Sequence, residues 1–253
     1  MTLTQPTSSA LPSAGRDTPL NLKVYGRVIA LLYLLIAGVA GFTHFYLPSR
    51  LIVPGDAQAT AANLLASPAL YRVGSMGGEL IILLSEVVLT VMLFMLFRHV
   101  NKTVALIATV ARLIMTGIHG LNLLNSFFAL TLLTGNMSVG AVASGERLAL
   151  GMLFLDAHRY GFAIGTAFLS LHALALAYLI YTCGFLPRVL GVLFVLAGLG
   201  YLIDSAALLL TAQYVSTPPF IALPIAIAEV AFPLWLLVKG VDVPRWRVRL
   251  LGA

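Results

Sequence analysis

The sequence predicts an all-α polytopic membrane protein: a helix bundle of about six transmembrane helices with both termini on the cytoplasmic side. Three observations carry this. Of 253 residues, 60% are hydrophobic and 9% charged, with a mean hydropathy of +1.00, whereas a soluble domain carries roughly 25% charged residues. The apolar residues fall in runs near the length of about 20 residues that a helix needs to cross hydrocarbon. The basic residues stand at the ends of those runs, so the net charge of +6 is a topology signal and does not mark a nucleic-acid surface. Membrane lipids are the expected partners; nucleic acid is not.

Residues 1–22, rich in Ser, Thr and Pro, read as a disordered cytoplasmic tail. Residues 23–241 read as one transmembrane domain. Lys23 and Arg27 lead into a first run from Val28 to Leu47. Gly38-Val39-Ala40 has the form of a signal-peptide cleavage site, but the run continues past it to spanning length, so an uncleaved first helix is expected. The outer loop, 48–74, contains the turn Pro54-Gly55-Asp56, and Asp56 is placed to N-cap an alanine-rich helix from Ala57 to Ala66. That helix either lies on the outer face or forms a lid. The second run spans Ser75 to Phe97, with the cap-then-proline pair Ser67-Pro68 as an earlier start. The third spans Val104 to Leu133 and the fourth Leu148 to Tyr181. The fifth, Leu186 to Leu210, has Pro187 near its first turn, and the sixth, Phe220 to Val238, contains Pro224 and Pro233. Interior prolines are tolerated in membrane helices when neighbours satisfy the freed carbonyls.

Orientation follows from Lys and Arg at the span ends. Ten gather on one side: Arg16, Lys23, Arg27, Arg98, Lys102, Arg188, Lys239, Arg245, Arg247 and Arg249. Three stand on the other: Arg50, Arg72 and Arg147. The richer side is expected to be cytoplasmic, in an inner (plasma) membrane. Residues 242–253 form a short basic cytoplasmic tail, in which Arg245-Trp246-Arg247 and Arg249 read as an interfacial anchor attracting anionic lipid.

Five carboxylates fall within the spans: Glu79, Glu86, Asp156, Asp204 and Glu229. With them are two arginines, Arg112 and Arg159, and the histidines His119, His158 and His172, while His44 lies near the outer end of the first run. A charge at the centre of a membrane helix costs about 2.5–3.5 kcal/mol on insertion scales, so these groups must face inward, pair or be neutral. Glu79 and Glu86 are seven apart, as are Arg112 and His119, so each pair shares a helix face, with Thr116 and Asn122 extending the second. Asp156 and Arg159, three apart, are placed to pair within their own helix. With neutral histidines the spans carry three more negative than positive charges, which calls for protonated acids, charged histidines or a bound cation. The candidate binding or proton-linked residues are therefore Glu79, Glu86, Arg112, His119, Asp156, His158, Arg159, Asp204 and Glu229. His44 and His172, placed near opposite ends, read as local hydrogen bonders.

No metal or cofactor is expected. The four histidines in and beside the spans do not converge at one depth, His44 and His158 lying towards the outside, His119 near the middle and His172 towards the cytoplasm, and they lack His-x-x-x-His or His-Glu-x-x-His spacing. There is no Gly-x-Ser-x-Gly elbow and no phosphate loop. The single cysteine, Cys183, excludes an intrachain disulfide. Gly161-x-x-x-Gly165, and Gly191 with Gly198, read as close helix packing. Asn136-Met137-Ser138 has the form of a glycosylation acceptor.

Several stretches form an ordered pattern: Val53-Pro54-Gly55-Asp56-Ala57 with Ala59-Thr60-Ala61; Leu155-Asp156-Ala157-His158-Arg159-Tyr160-Gly161-Phe162; Gly184-Phe185-Leu186-Pro187-Arg188-Val189-Leu190-Gly191-Val192-Leu193; Gly200-Tyr201-Leu202-Ile203-Asp204-Ser205; and Leu234-Trp235-Leu236-Leu237-Val238-Lys239-Gly240-Val241. From Lys23 to Val241 the chain resembles the bacterial membrane-protein family catalogued as domain of unknown function 4386. The resemblance implies a multi-pass inner-membrane protein and recurring motifs around Asp56, Asp156, His158 and Asp204; it brings no activity or cofactor.

Three functions fit the residues. One is proton- or cation-linked transport or sensing of a small molecule, with Glu86, Asp204 and Glu229 changing charge beside Arg112 and Arg159. Another is an intramembrane enzyme on a lipid or isoprenoid substrate, using Glu79, Asp156, His158 and Arg159. The last is a non-catalytic structural or partner protein. The reading leans away from an enzyme.

Overall fold

A computed structural model describes residues 21–135, 143–211, 213–214 and 216–251. Among these, every regular element is helical. We label them α1 (Leu22–Leu51), α2 (Ala57–Ala66), α3 (Pro68–Phe97), α4 (Lys102–Leu133), α5 (Ser144–Cys183), α6 (Arg188–Leu210), α7 (Pro219–Val238) and α8 (Val243–Leu251). Six of these, all but α2 and α8, are long and apolar enough to cross a membrane, the number the sequence predicts.

Local chemistry sets the helix ends. Asn21, Asp56 and Asn101 each accept from a backbone N–H three residues on, at 3.4, 2.8 and 3.1 Å, and so cap α1, α2 and α4. Asn21 and Leu22 thus belong to the start of α1, although the sequence places them in a tail whose other residues, 1–20, lie outside the described ones. Gly184 ends α5 at φ +79°, a backbone conformation that glycine adopts without steric cost. The expected basic tail is folded too: α8 occupies Val243–Leu251. Asn136-Met137-Ser138 lies outside the described residues.

Two of the spans widen near the end opposite the concentration of basic residues. In α1 the Leu47 N–H reaches back five residues to Phe42, and in α3 the Gly78 N–H reaches Val73. These are π-type turns, in which one extra residue re-aims the side chains that follow. They pack against each other; the first contains His44 and the second ends two residues before Glu79.

The spans pack in a closed ring: each touches its neighbours in the chain, and α1 closes the ring against α7. The outward faces carry large apolar side chains such as Leu84, Leu121 and Phe220, all at least 70% exposed. In water that surface would be an aggregation hazard; against lipid it is expected. Towards the basic end the interior is a tight apolar core that includes Phe97, Leu179, Ile180, Phe194 and Phe232. At the opposite end α2 docks on α1, α4 and α5. Its Leu64 is fully buried among Leu47, Leu51, Tyr71, Leu130 and Leu133.

The glycines do two different jobs. At Gly191 an added Cβ would lie 2.9 Å from backbone atoms of Ala177 and Tyr181, so α5 and α6 touch backbone to backbone. At Gly161 and Gly165 the Cβ would instead fall 2.3 Å from the Asn122 amide and the His119 ring. This pair makes room for polar side chains of α4, not for another backbone as the spacing suggested.

Candidate functional site

α4 carries the polar interior. Arg112, Thr116, His119, Asn122 and Ser126 follow at intervals of four, three, three and four, one face of a helix, and all five are buried. The stripe expected from Arg112 to Asn122 therefore points inward and runs one turn further. It serves two clusters at different depths.

The deeper cluster takes one residue from each of the six spans. Arg112 is only 3% exposed and binds the Glu86 carboxylate in bidentate fashion, through Nε to Oε2 and through Nη2 to Oε1 at 3.0 Å. Its Nη1 donates to Tyr33 Oη at 3.2 Å and to His172 Nε2 at 2.9 Å. His172 Nδ1 stands 2.8 Å from the Ala108 carbonyl, which can only accept. The proton is therefore on Nδ1, and the Nε2 lone pair receives Arg112. Four of the five guanidinium N–H groups have partners, and the Tyr33 ring lies 5.2 Å from the guanidinium carbon. Tyr201 of α6 and Glu229 of α7 complete the set, with Tyr201 Oη donating to Glu229 Oε1 at 3.1 Å.

The depth of this cluster follows from helix geometry. Counted from the basic ends of their helices, Tyr33, Glu86 and His172 lie 11 residues in, Arg112 10, Tyr201 13 and Glu229 9. At 1.5 Å per residue that is about 14–20 Å, the middle of a hydrocarbon layer about 30 Å thick. His172, which the sequence places near the cytoplasmic end, is thus at the centre and touches the buried arginine.

Glu229 is the unbalanced member. Glu86 takes two of the Arg112 N–H groups and Tyr33 and His172 two more, and no cation among the described residues hydrogen-bonds Glu229, which lies within electrostatic reach of both Arg112 and Glu86. It is half-buried, unlike Glu86. Pro233 follows four residues later and has no N–H for the Glu229 carbonyl, so α7 lacks a helical hydrogen bond at this residue. The excess negative charge inferred from the sequence comes down, at the midplane, to one carboxylate on a weakened turn.

The second cluster lies towards the opposite end, Glu79 and His119 being 18 and 17 residues from the basic ends of their helices. Glu79 is 5% exposed and sits 2.7 Å from His44 Nε2. His119 Nε2 donates to the Phe162 carbonyl at 3.1 Å, and its ring stacks on Phe162 at 4.5 Å. His158 Nδ1 lies 3.2 Å from the Asn122 carbonyl and 3.1 Å from Ser126 Oγ, while Asn122 Nδ2 donates to the His158 carbonyl at 2.8 Å. His44, His119 and His158 all act electrostatically on Glu79. His44 and His158 are expected towards the outer end and His119 near the middle; all three lie within electrostatic reach of Glu79, and His44 bonds it. Even so, among the described residues no three His, Cys, Asp or Glu groups are arranged to hold a metal ion.

The remaining candidates stand apart. Asp156 is exposed. Arg159 does not bridge to it; its Nη2 donates to the Tyr214 carbonyl at 2.8 Å. Asp204 accepts from the Tyr214 hydroxyl, and burial, then that bond and the carboxylate's charge, push the Tyr214 phenol up to about 12. Glu79, Asp156, His158 and Arg159 do not form one site. Sequence reasoning passed over Tyr33 and Tyr201, which look like core aromatics. A phenol buried at the depth of an unmatched acid is the signal that finds them, since a buried O–H needs a partner.

An uncharacterized protein of Archaeoglobus fulgidus is 27% identical over 173 residues, which cover 68% of this chain and 86% of that protein. No solved structure matches. The family described as "Domain of unknown function (DUF4386)" matches residues 28–240, and the chain belongs to it.

Proposed function

We propose that this is a proton-linked membrane protein, a small-molecule transporter or sensor, in which Glu229 exchanges a proton at the centre of the bundle. The observation that supports it is the midplane cluster: one residue from each of six spans, two carboxylates and a single arginine held by one of them in a bidentate pair. A carboxylate in a low dielectric without its own cation is the group whose charge is easiest to remove. Adding a proton to Glu229 cancels the excess charge and turns the carboxyl from an acceptor only into a group that also donates. That alters its bond with Tyr201 and its field at Arg112, hence the contacts of α6, α7, α1 and α5 together. The missing hydrogen bond before Pro233 gives α7 a place to respond. On this reading the cluster of Glu79, His44, His119 and His158 is the way in from the opposite end, joined to the midplane along α4.

Proteoliposomes with a pH-sensitive dye inside and an imposed pH gradient test the transport form. Wild-type vesicles should take up protons faster than empty ones, and Glu229→Gln should return them to the empty rate. Equal rates for all three would remove the transport form and leave sensing.

A further inference from the structure

We propose that α8 and the basic end of the bundle form a docking site for anionic phospholipid of the adjoining leaflet, with Arg247 at the headgroup and Val248 and Leu251 against the acyl region. The orientation of α8 is fixed by three contacts. Trp246 Nε1 donates to the Leu96 carbonyl at 3.2 Å, Arg249 Nη2 to the Thr182 carbonyl at 2.8 Å and Arg245 Nη1 to the Gly184 carbonyl at 3.3 Å. These hold one face of the helix on the ends of α3 and α5. At 100° per residue the other face presents Pro244, Arg247, Val248 and Leu251. Val248 is 71% and Leu251 87% exposed, and Arg247 is exposed with no hydrogen bond or ion pair to any described residue.

Two features select the partner. The first is charge. Nine of the ten Lys and Arg assigned to this end lie among the described residues, against one carboxylate there, Asp242, which bridges to Arg245 at 3.3 Å. Such a surface fits a negatively charged plane. The second is position and amphipathicity. α8 begins five residues after a spanning helix ends, so it lies at the membrane edge, and it pairs an unsatisfied arginine with exposed aliphatic side chains and an interfacial tryptophan. That combination suits a headgroup boundary, where each arginine strengthens attraction to an anionic leaflet roughly fivefold. A soluble acidic protein would leave the aliphatic residues beside it without an apolar partner.

The test uses the purified full-length protein in neutral detergent and native mass spectrometry, with phosphatidylglycerol and phosphatidylcholine of equal chain length as probes. Wild type should retain phosphatidylglycerol in preference. Arg247→Gln should reduce that preference roughly fivefold, and Arg247→Gln with Val248→Asp should abolish it, with unfolding temperatures unchanged because neither side chain is bonded within the protein. Arg72→Gln, an exposed arginine at the opposite end, should leave it intact. Equal retention of the two lipids, a preference that survives the double substitution, or one lost equally in Arg72→Gln would each overturn the proposal. So would tight binding of a soluble acidic peptide that phosphatidylglycerol does not displace.

Discussion

Replacing Glu86 by Gln removes one charge and leaves every atom position occupied, so it isolates the electrostatics of the midplane. The Arg112 guanidinium is 3% exposed and makes two of its bonds to the Glu86 carboxylate. Hydrogen bonds to a charged partner contribute about 1.5–3 kcal/mol each, and stranding one member of a buried ion pair costs about 3–5 kcal/mol. Neutral hydrogen bonds between membrane helices average only about 0.6 kcal/mol. The charge therefore dominates, and Glu86→Gln should destabilise by about 3–5 kcal/mol, with Glu229 able to recover part of it by facing Arg112. Equilibrium unfolding in mixed micelles with increasing sodium dodecyl sulfate, followed by circular dichroism, measures this. A double-mutant cycle with Arg112→Gln should show the double variant more stable than the sum of the singles by at least 1 kcal/mol, since it removes the stranded charge. A cost below about 1 kcal/mol for Glu86→Gln, typical of a solvated pair, would refute the buried-pair reasoning.

The other expectations are these. Gly165→Ala should cost about 1–3 kcal/mol, because the new methyl meets the His119 ring at 2.3 Å, whereas Gly117→Ala, with nothing within 4 Å, should be neutral or stabilising; the same unfolding assay compares them. Asp156→Asn should change stability by no more than about 0.5 kcal/mol and leave proton uptake intact, since the side chain is exposed and bonds no described residue. Pro233→Ala should restore the missing bond to the Glu229 carbonyl, slowing hydrogen exchange in the middle of α7 while weakening the response to pH. Asp56→Ala should cost about 0.5–2 kcal/mol through loss of the cap on α2, detected as earlier proteolysis in the segment before α3.

Much of this was legible because membrane burial leaves strong one-dimensional signals. Hydropathy gave the six spans. Asp56 before an alanine-rich run gave α2 with its cap. The spacing from Arg112 to Asn122 and from Glu79 to Glu86 gave the inward faces of α4 and α3. What spacing cannot give is the partner across the bundle. Asp156 and Arg159, three apart, look like a pair, yet Arg159 reaches the carbonyl of Tyr214, 55 residues on. Arg112 meets Glu86 and His172 from the two helices packed beside α4, and Tyr33 from α1 across the bundle, contacts set by the depth of each helix in the ring. The depth of His172 was misjudged for a related reason: α5 is 40 residues long, so a histidine 11 residues from its end still reaches the midplane. Gly161 and Gly165 carry the small-residue pattern of helix contact, but the volume they vacate is filled by Asn122 and His119.

Infrared difference spectroscopy of the reconstituted protein, stepped between alkaline and mildly acidic pH, reads the protonation of buried carboxyls directly. The account predicts a protonated-carboxyl band on acidification that disappears in Glu229→Gln and persists in Asp156→Asn. An unchanged band in Glu229→Gln, or no such band in wild type, would contradict it.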